Sequence, residues 1–121
     1  ECDVFGAEER LILAQAQEDG RLAASYDDCL PAMVQAIRVG DRYYAGWPAE
    51  VFVEFGLEMK RRRENTFPIA LANGHLHGYI VTEEASAAGG YESGNSMFAP
   101  ETGRVFIARS EELIDRCKGA G

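Results

Sequence analysis

Apolar residues near the C-terminal end of the chain recur with helical spacing, and the N-terminal end is rich in strong helix formers. Residues 6–17 combine strong helix formers with acidic residues in the first turn, and Glu18-Asp19-Gly20 marks a stop. A second, shorter helix is expected at 21–28. Helical periodicity returns over 101–118, with four residues expected on the buried side: Val105, Phe106, Leu113 and Ile114.

The middle of the chain alternates between β-rich runs and one helical segment. Pro48 suits the first position of a helix, where its missing N–H costs nothing, so a helix is expected over 48–63. Its Phe52, Phe55 and Met59 then share one face. The expected extended segments are a hairpin over 33–47 that turns at Gly40-Asp41, and strands at 66–72 and 78–82.

This order of elements predicts the fold class. A strand, a helix and a strand in succession favour a right-handed crossover, which makes the two strands parallel. We therefore expect an α/β (α+β) fold: a small mixed β-sheet of about four strands, with the crossover helix 48–63 and with N- and C-terminal helices. The length of 121 residues fits a single domain over 1–121.

Charge and hydropathy narrow the classes of partner. Twelve basic and twenty acidic side chains give a net charge of −8, which repels a phosphate backbone. The basic run Lys60-Arg61-Arg62-Arg63 closes the predicted helix, where cations complement the helix dipole. No apolar run approaches the ~20 residues that a membrane span needs. We expect neither a nucleic-acid partner nor a transmembrane segment.

The cysteines are Cys2, Cys29 and Cys117, an odd number with wide spacing. This argues against both a disulfide framework and a thiolate zinc site, and reduced thiols in a cytoplasmic protein are the simplest interpretation. The chain begins with Glu1 rather than Met, so we expect it to be a piece of something longer.

Glu50 is the first candidate for chemistry. It follows Trp47-Pro48-Ala49 at the expected turn from strand to helix, and ligands collect at the carboxyl ends of strands in α/β sheets. In the first turn of the predicted helix, a glutamate also has a purely structural role opposite the helix dipole. On the residues alone, both interpretations stay open.

His75 and His77 are the second candidate. At i and i+2 in an extended segment they project to one side, a spacing that metal sites use. The motif is short and common and has no identified third ligand, so the residues alone do not assign it. The glycine-rich loop 89–96 matches neither a phosphate-binding loop nor a dinucleotide fingerprint. We expect this loop to pass tightly over a neighbouring surface.

Several short motifs then follow one another in order. They are W-P-A-E at a strand end, F-V-E-F-G-L in a helix, L-A-N-G, G-Y-I-x-T, E-E-A-x-x-x-G-G-Y-E and S-M-F-A-P. In this order they resemble the closing portion of the catalytic domain of the neutral/alkaline (non-lysosomal) ceramidase-like family. The resemblance covers roughly residues 34–117.

The resemblance implies a zinc-dependent amidohydrolase that cleaves the amide bond of ceramide and related N-acyl lipids. In that family, two histidines from earlier in the chain, a glutamate and a tyrosine hold the zinc. Glu50 matches the ligand glutamate and Tyr79 matches the ligand tyrosine, on neighbouring strand ends. These oxygen donors are of the kind that catalytic zinc accepts.

The sequence departs from the family pattern in three places. The turn reads P-A-E instead of P-G-E. The segment 73–79 is one residue longer than usual, so the match at Tyr79 depends on where the extra residue lies. The upstream part that carries the two histidines is missing, and His75 and His77 do not fit as substitutes because both follow Glu50.

Three functional hypotheses remain. The first is a partial zinc-dependent amidohydrolase domain that is inactive alone and is completed by the remainder of a larger chain or by a partner. The alternative is a non-catalytic α/β binding or assembly module, in which Glu50 is a helix-start acid and Tyr79 a core or hinge residue. The third is a self-contained metal site of His75, His77 and Glu50 or a neighbouring carboxylate. A domain cut from a larger sheet also exposes an apolar face or strand edge, so we expect self-association or a bound partner.

Overall fold

The computed structural model describes residues 2–119, and within them all side chains except those of residues 2, 3 and 5. The expected mixed α+β class is confirmed, with six helices and two small sheets in this part of the chain. The chain divides between Pro31 and Ala32 into two compact units.

The first unit is a pair of helices, α1 (Cys2–Glu18) and α2 (Arg21–Cys29). Gly20 adopts a left-handed φ of 80° between them, which a glycine does without steric cost. The Asp19 carboxylate accepts hydrogen bonds from the backbone N–H and the guanidinium of Arg21. Both helices predicted for this region are thus present, and α1 begins earlier than its sequence pattern indicates.

The second unit contains nine elements in α/β order. They are β1 (Gln35–Val39), β2 (Arg42–Gly46), β3 (Glu50–Val51), α3 (Val53–Arg62), β4 (Thr66–Ile69), β5 (Tyr79–Ile80), α4 (Glu83–Ala88), α5 (Tyr91–Gly94) and α6 (Thr102–Gly119). The hairpin β1–β2 is antiparallel and turns at Gly40-Asp41, as predicted. Strand β4 runs parallel to β2, which confirms the crossover through α3.

The core lies between one face of the sheet β1-β2-β4 and the helices α3 and α6. Tyr43, Ala45 and Thr66 are buried on this face. Gly103 allows α6 to approach α3 closely, because a Cβ there would lie 2.4 Å from the Phe55 ring. Helices α3 and α6 are also joined by ion pairs from Arg63 to Glu111 and Asp115. Within α3, Glu58 and Arg62 form an ion pair one helical turn apart.

The predicted start of the crossover helix is wrong. Residues 47–49 are not helical, Pro48 and Ala49 form a bend, and α3 begins at Val53 rather than at Pro48. The reason is non-local: Trp47 N–H donates to Ile69 O, and the carbonyls of residues 47–49 accept hydrogen bonds from residues 71–76. Their backbone groups are therefore engaged elsewhere, and Glu50 lies in the short strand β3 rather than in a helical turn.

Other boundaries also differ from expectation. The strand expected over 66–72 ends at Ile69, and the one over 78–82 is reduced to β5. Strand β5 pairs with β3 in a second sheet, so the described residues form sheets of three and two strands instead of one sheet of about four. The loop 89–96 contains the helical turn α5. Val105 is 61% exposed, because Phe106, Ile107, Ser110 and Ile114 form the buried side of α6.

Candidate functional site

Strands β3 and β5 bring Glu50 and Tyr79 together. The two strands are parallel, with Glu50 opposite Tyr79 and Val51 opposite Ile80. Directly paired residues point to the same face of a sheet. Ile80 is fully buried, and its carbonyl accepts a 3.0 Å hydrogen bond from Phe52 N–H. The two oxygen-bearing side chains are therefore held in fixed register by buried neighbours.

Gly78 determines how the chain enters β5. Its φ is +78°, and a Cβ at this position would lie 2.0 Å from the carbonyl oxygen of Asn95. The N–H of Tyr79 donates a 3.3 Å hydrogen bond to the same oxygen. The expected tight passage of the loop 89–96 is thus present, but Gly78 permits it rather than a glycine of the loop itself.

A cleft of about 540 Å³ opens beside the pair. Its walls are largely apolar, and its polar groups are three carboxylates and a phenol. The lining residues are Glu50, Val51, Phe52, Val53, Glu54, Ala70, Leu71, Tyr79 and Glu92. Leu71 adopts a left-handed φ of 51°, which is uncommon for a leucine, and its N–H donates to Ala49 O. Backbone strain of this kind occurs preferentially at functional sites.

Burial and negative charge together raise the pKa of the Tyr79 phenol. Desolvation is the largest cause, and the charge of Glu50 is the next. Hydrogen bonding with Glu50 and the proximity of Tyr91 and Glu92 act in the same direction. The phenol therefore keeps its proton at neutral pH. A bound cation would reverse this balance, because positive charge favours the phenolate.

The sequence motifs assigned no role to Tyr91 and Glu92, yet both lie at this site. The Tyr91 ring meets the Tyr79 ring edge-on, with centroids 6.0 Å apart and planes at 69°. Glu92 lines the cleft. The signal that could have found them is the N-cap of α4 at Thr82 followed by Gly89-Gly90, two glycines with positive φ that separate the short helix α4 from α5.

His75 and His77 form a separate pair. Their rings are in edge-on contact, with centroids 4.9 Å apart, and both side chains are exposed. Leu76 between them is buried, and its N–H donates a 2.6 Å hydrogen bond to Pro48 O. Within residues 2–119, no three or more histidine, cysteine, aspartate and glutamate side chains are grouped so that they could hold a metal ion. The structure therefore does not join Glu50 to the two histidines in such a group.

Comparisons with protein-family models, with curated proteins and with solved structures find no match for this chain. A search of the described helices finds none with both the length and the apolar character needed to cross a membrane. Cys29 and Cys117 carry free thiols. The side chain of Cys2 lies outside the described residues.

Proposed function

We propose that this chain is the part of a ceramidase-like, zinc-dependent amidohydrolase that supplies two oxygen ligands, Glu50 and Tyr79, and is inactive alone. The observation that carries the proposal is their direct pairing in β3 and β5 at the edge of the cleft. The ordered motifs between Trp47 and Pro100 support it independently.

The donor set fits part of a catalytic zinc site. Such sites hold zinc through three or more nitrogen, oxygen or sulfur ligands and leave a position for water. Glu50 and Tyr79 provide two oxygens, and the resemblance assigns the remaining nitrogen ligands to histidines upstream. When bound, zinc lowers the pKa of its water and polarises a carbonyl oxygen.

The residues of this chain set the register of the two ligand side chains and form the walls of the cleft beside them. The paired strands fix the separation of the two oxygens, and Gly78 allows the segment carrying Tyr91 to rest against Tyr79. The apolar walls of the cleft suit the hydrocarbon part of an N-acyl substrate. They continue into a second cleft of about 210 Å³, which shares Val51, Phe52, Val53 and Ala70 with the first.

A non-catalytic assembly module is the second candidate. It is favoured by one observation, an apolar face of the sheet β1-β2-β4 that no helix of the second unit covers. In that case Glu50 and Tyr79 would stabilise the fold and would not bind metal. The two candidates therefore differ in the effect of zinc on this pair of residues.

The proposal is tested by measuring zinc affinity and amide hydrolysis with the purified chain. Equilibrium dialysis should show at most weak zinc binding, because the chain supplies only two donors, and Glu50→Gln and Tyr79→Phe should each weaken it by at least about tenfold. A His75→Ala/His77→Ala double variant serves as the control and should retain that binding. No hydrolysis of an N-acyl amide is expected with or without zinc. Zinc-dependent turnover by the chain alone would contradict the claim that its site is incomplete.

A further inference from the structure

Among the described residues of the second unit, helices cover only one face of the sheet β1-β2-β4. The other face, called the open face below, is formed by the alternate residues of the three strands. In β1 these are Gln35, Ile37 and Val39, in β2 they are Arg42, Tyr44 and Gly46, and in β4 they are Phe67 and Ile69. Gly46 is itself buried, because Ala72 lies against it at one end of the face.

The open face carries a continuous apolar surface. Ile37, Tyr44 and Phe67 lie in register across all three strands, and the rings of Tyr44 and Phe67 stack with centroids 5.6 Å apart. The exposed fractions are 49% for Ile37, 59% for Val39, 39% for Phe67 and 46% for Ile69. Single exposed apolar side chains are ordinary, but a contiguous group on adjacent strands marks an interaction surface.

The charge distribution favours a protein as the occupant of this surface. The eight positions of the open face include no acidic residue and one cation, Arg42. From α3, Lys60 places its ammonium group 5.9 Å from the centre of the Phe67 ring. Two cations on a chain of net charge −8 are too few to attract a nucleic acid or an anionic membrane. The open face itself carries no negative charge, so a second acidic chain can approach it without direct carboxylate repulsion.

We infer that the open face is an interface between two copies of this chain, stacked sheet on sheet about a twofold axis. Three strands of about five residues present a surface of roughly 14 by 16 Å. Two such faces have a flat area of roughly 450 Å². With their uneven side chains and rims they bury at most on the order of 1,000 Å² of accessible surface in total, which is near the lower limit for specific association. The dimer is therefore reversible. In it, the row Ile37–Tyr44–Phe67 of one copy packs across the same row of the other copy.

This inference is independent of the proposed function. Glu50 and Tyr79 lie in the other sheet, so either claim can fail while the other stands. Pro68 limits the alternative of edge-to-edge pairing. It lies in β4, which ends the three-stranded sheet, and it offers no N–H to a further strand.

Sedimentation velocity over a wide concentration range tests the inference. The full chain should shift reversibly from monomer to dimer. Ile37→Glu and Phe67→Glu should each raise the dissociation constant by at least about tenfold, because a buried carboxylate would lack a partner. Val105→Glu is the matched control: it adds the same charge to an exposed apolar site on α6, and it should leave the dimer intact. A full chain that stays monomeric, or face variants that dimerise like the full chain, would overturn the inference.

Cross-linking of the unaltered chain keeps the test independent of variant folding. Lys60 and Lys118 are the only lysines. Lys60 lies beside the open face, whereas Lys118 lies over Tyr43 on the covered face. An amine-reactive cross-linker applied to mixed isotope-labelled and unlabelled chains should yield intermolecular Lys60–Lys60 products. Dimers joined only through Lys118 would place the interface elsewhere and overturn the inference.

Discussion

Trp47 donates its indole N–H to the hydroxyl of Ser110 across 2.9 Å, and both side chains are buried. The Ser110 hydroxyl in turn donates to Phe106 O at 2.8 Å, within α6. This chain of hydrogen bonds fixes the segment that leads from β2 to Glu50 against the longest helix of the second unit. The position of the candidate site therefore depends on a polar contact inside the core.

Replacing Ser110 by alanine leaves the buried indole N–H without its acceptor. An unsatisfied buried donor costs about 1–3 kcal/mol, so Ser110→Ala should lower the free energy of unfolding by that amount. Urea denaturation followed by Trp47 fluorescence measures the change. Ser86→Ala, at an exposed position of α4, should be nearly neutral. Equal effects of the two substitutions would show that the indole hydrogen bond contributes nothing particular to stability.

Gly78→Ala should disrupt the docking of residues 91–95 on β5. Its Cβ would overlap the Asn95 carbonyl, in addition to the strain of a positive φ. Gly89→Ala is a matched control, because Gly89 has a nearly identical φ of +77° but nothing within 4 Å of the added methyl. We expect about 1 kcal/mol of destabilisation for Gly89→Ala and at least about 2 kcal/mol for Gly78→Ala. The contact between Gly78 and Asn95 would have no energetic importance if the two variants were equally stable.

Gly103→Ala tests the close approach of α6 to α3. The added Cβ would overlap the Phe55 ring, and such overpacking typically costs about 1–3 kcal/mol. A Phe55→Leu substitution should recover part of that loss in the double variant, because it removes the overlapping ring atoms. Gly56→Ala, in α3 with nothing within 4 Å, should instead stabilise by up to about 1 kcal/mol. Thermal unfolding of Gly103→Ala, Phe55→Leu, their double variant and Gly56→Ala measures these changes in stability. If the effects of Gly103→Ala and Phe55→Leu were simply additive, the overlap of the added Cβ with the Phe55 ring would not be the cause of the loss.

The ion pair between Arg63 and Asp115 makes stability depend on pH. Hydrogen bonding to the Arg63 guanidinium holds the pKa of Asp115 below its usual value of 3.8. A carboxylate with a lowered pKa stabilises the fold above its unfolded-state pKa, and this contribution is lost as the pH falls through its folded-state pKa. Asp115→Asn should therefore lower the urea midpoint at neutral pH.

The difference between Asp115→Asn and the unaltered chain should shrink as the pH falls from about 5 to about 3. Because both side chains are partly exposed, salt should weaken the effect as well. Glu64→Gln, at an exposed position after α3, provides the control for removing one carboxylate. A difference in urea midpoint that stays constant across this pH range would show that the ionised pair is not its origin.

Local signals in the sequence determine much of the fold. The Gly40-Asp41 turn and the flanking β-rich runs suffice for the hairpin. Thr82 acts as the N-cap of α4, and its hydroxyl accepts a 3.1 Å hydrogen bond from Ala85 N–H. The start of α3 is not a local property, because the hydrogen-bonding partners of residues 47–49 lie more than twenty residues further along the chain. Pro48 favours a helix start in isolation, and these distant partners override it.

In the candidate site, too, some features follow from local sequence signals and others depend on distant parts of the chain. Resemblance to known motifs directs attention to Glu50 and Tyr79, but neither periodicity nor composition predicts that they are direct partners in a separate sheet. Tyr91 contacts Tyr79 after two glycines with positive φ, Gly89 and Gly90, and the same segment approaches β5 closely where Gly78 lies against Asn95. These contacts depend on three-dimensional packing, which no single segment specifies.

Zinc titration of the carbon-13 tyrosine-labelled chain, followed by NMR, tests the central claim most directly. The Tyr79 ring carbon is assigned by its absence in Tyr79→Phe. If Glu50 and Tyr79 form a ligand pair, this resonance shifts saturably with zinc. Glu50→Gln should remove the shift, while His75→Ala/His77→Ala should leave it unchanged. A Tyr79 resonance that does not respond to zinc, or a response lost only in the histidine variant, would contradict the account.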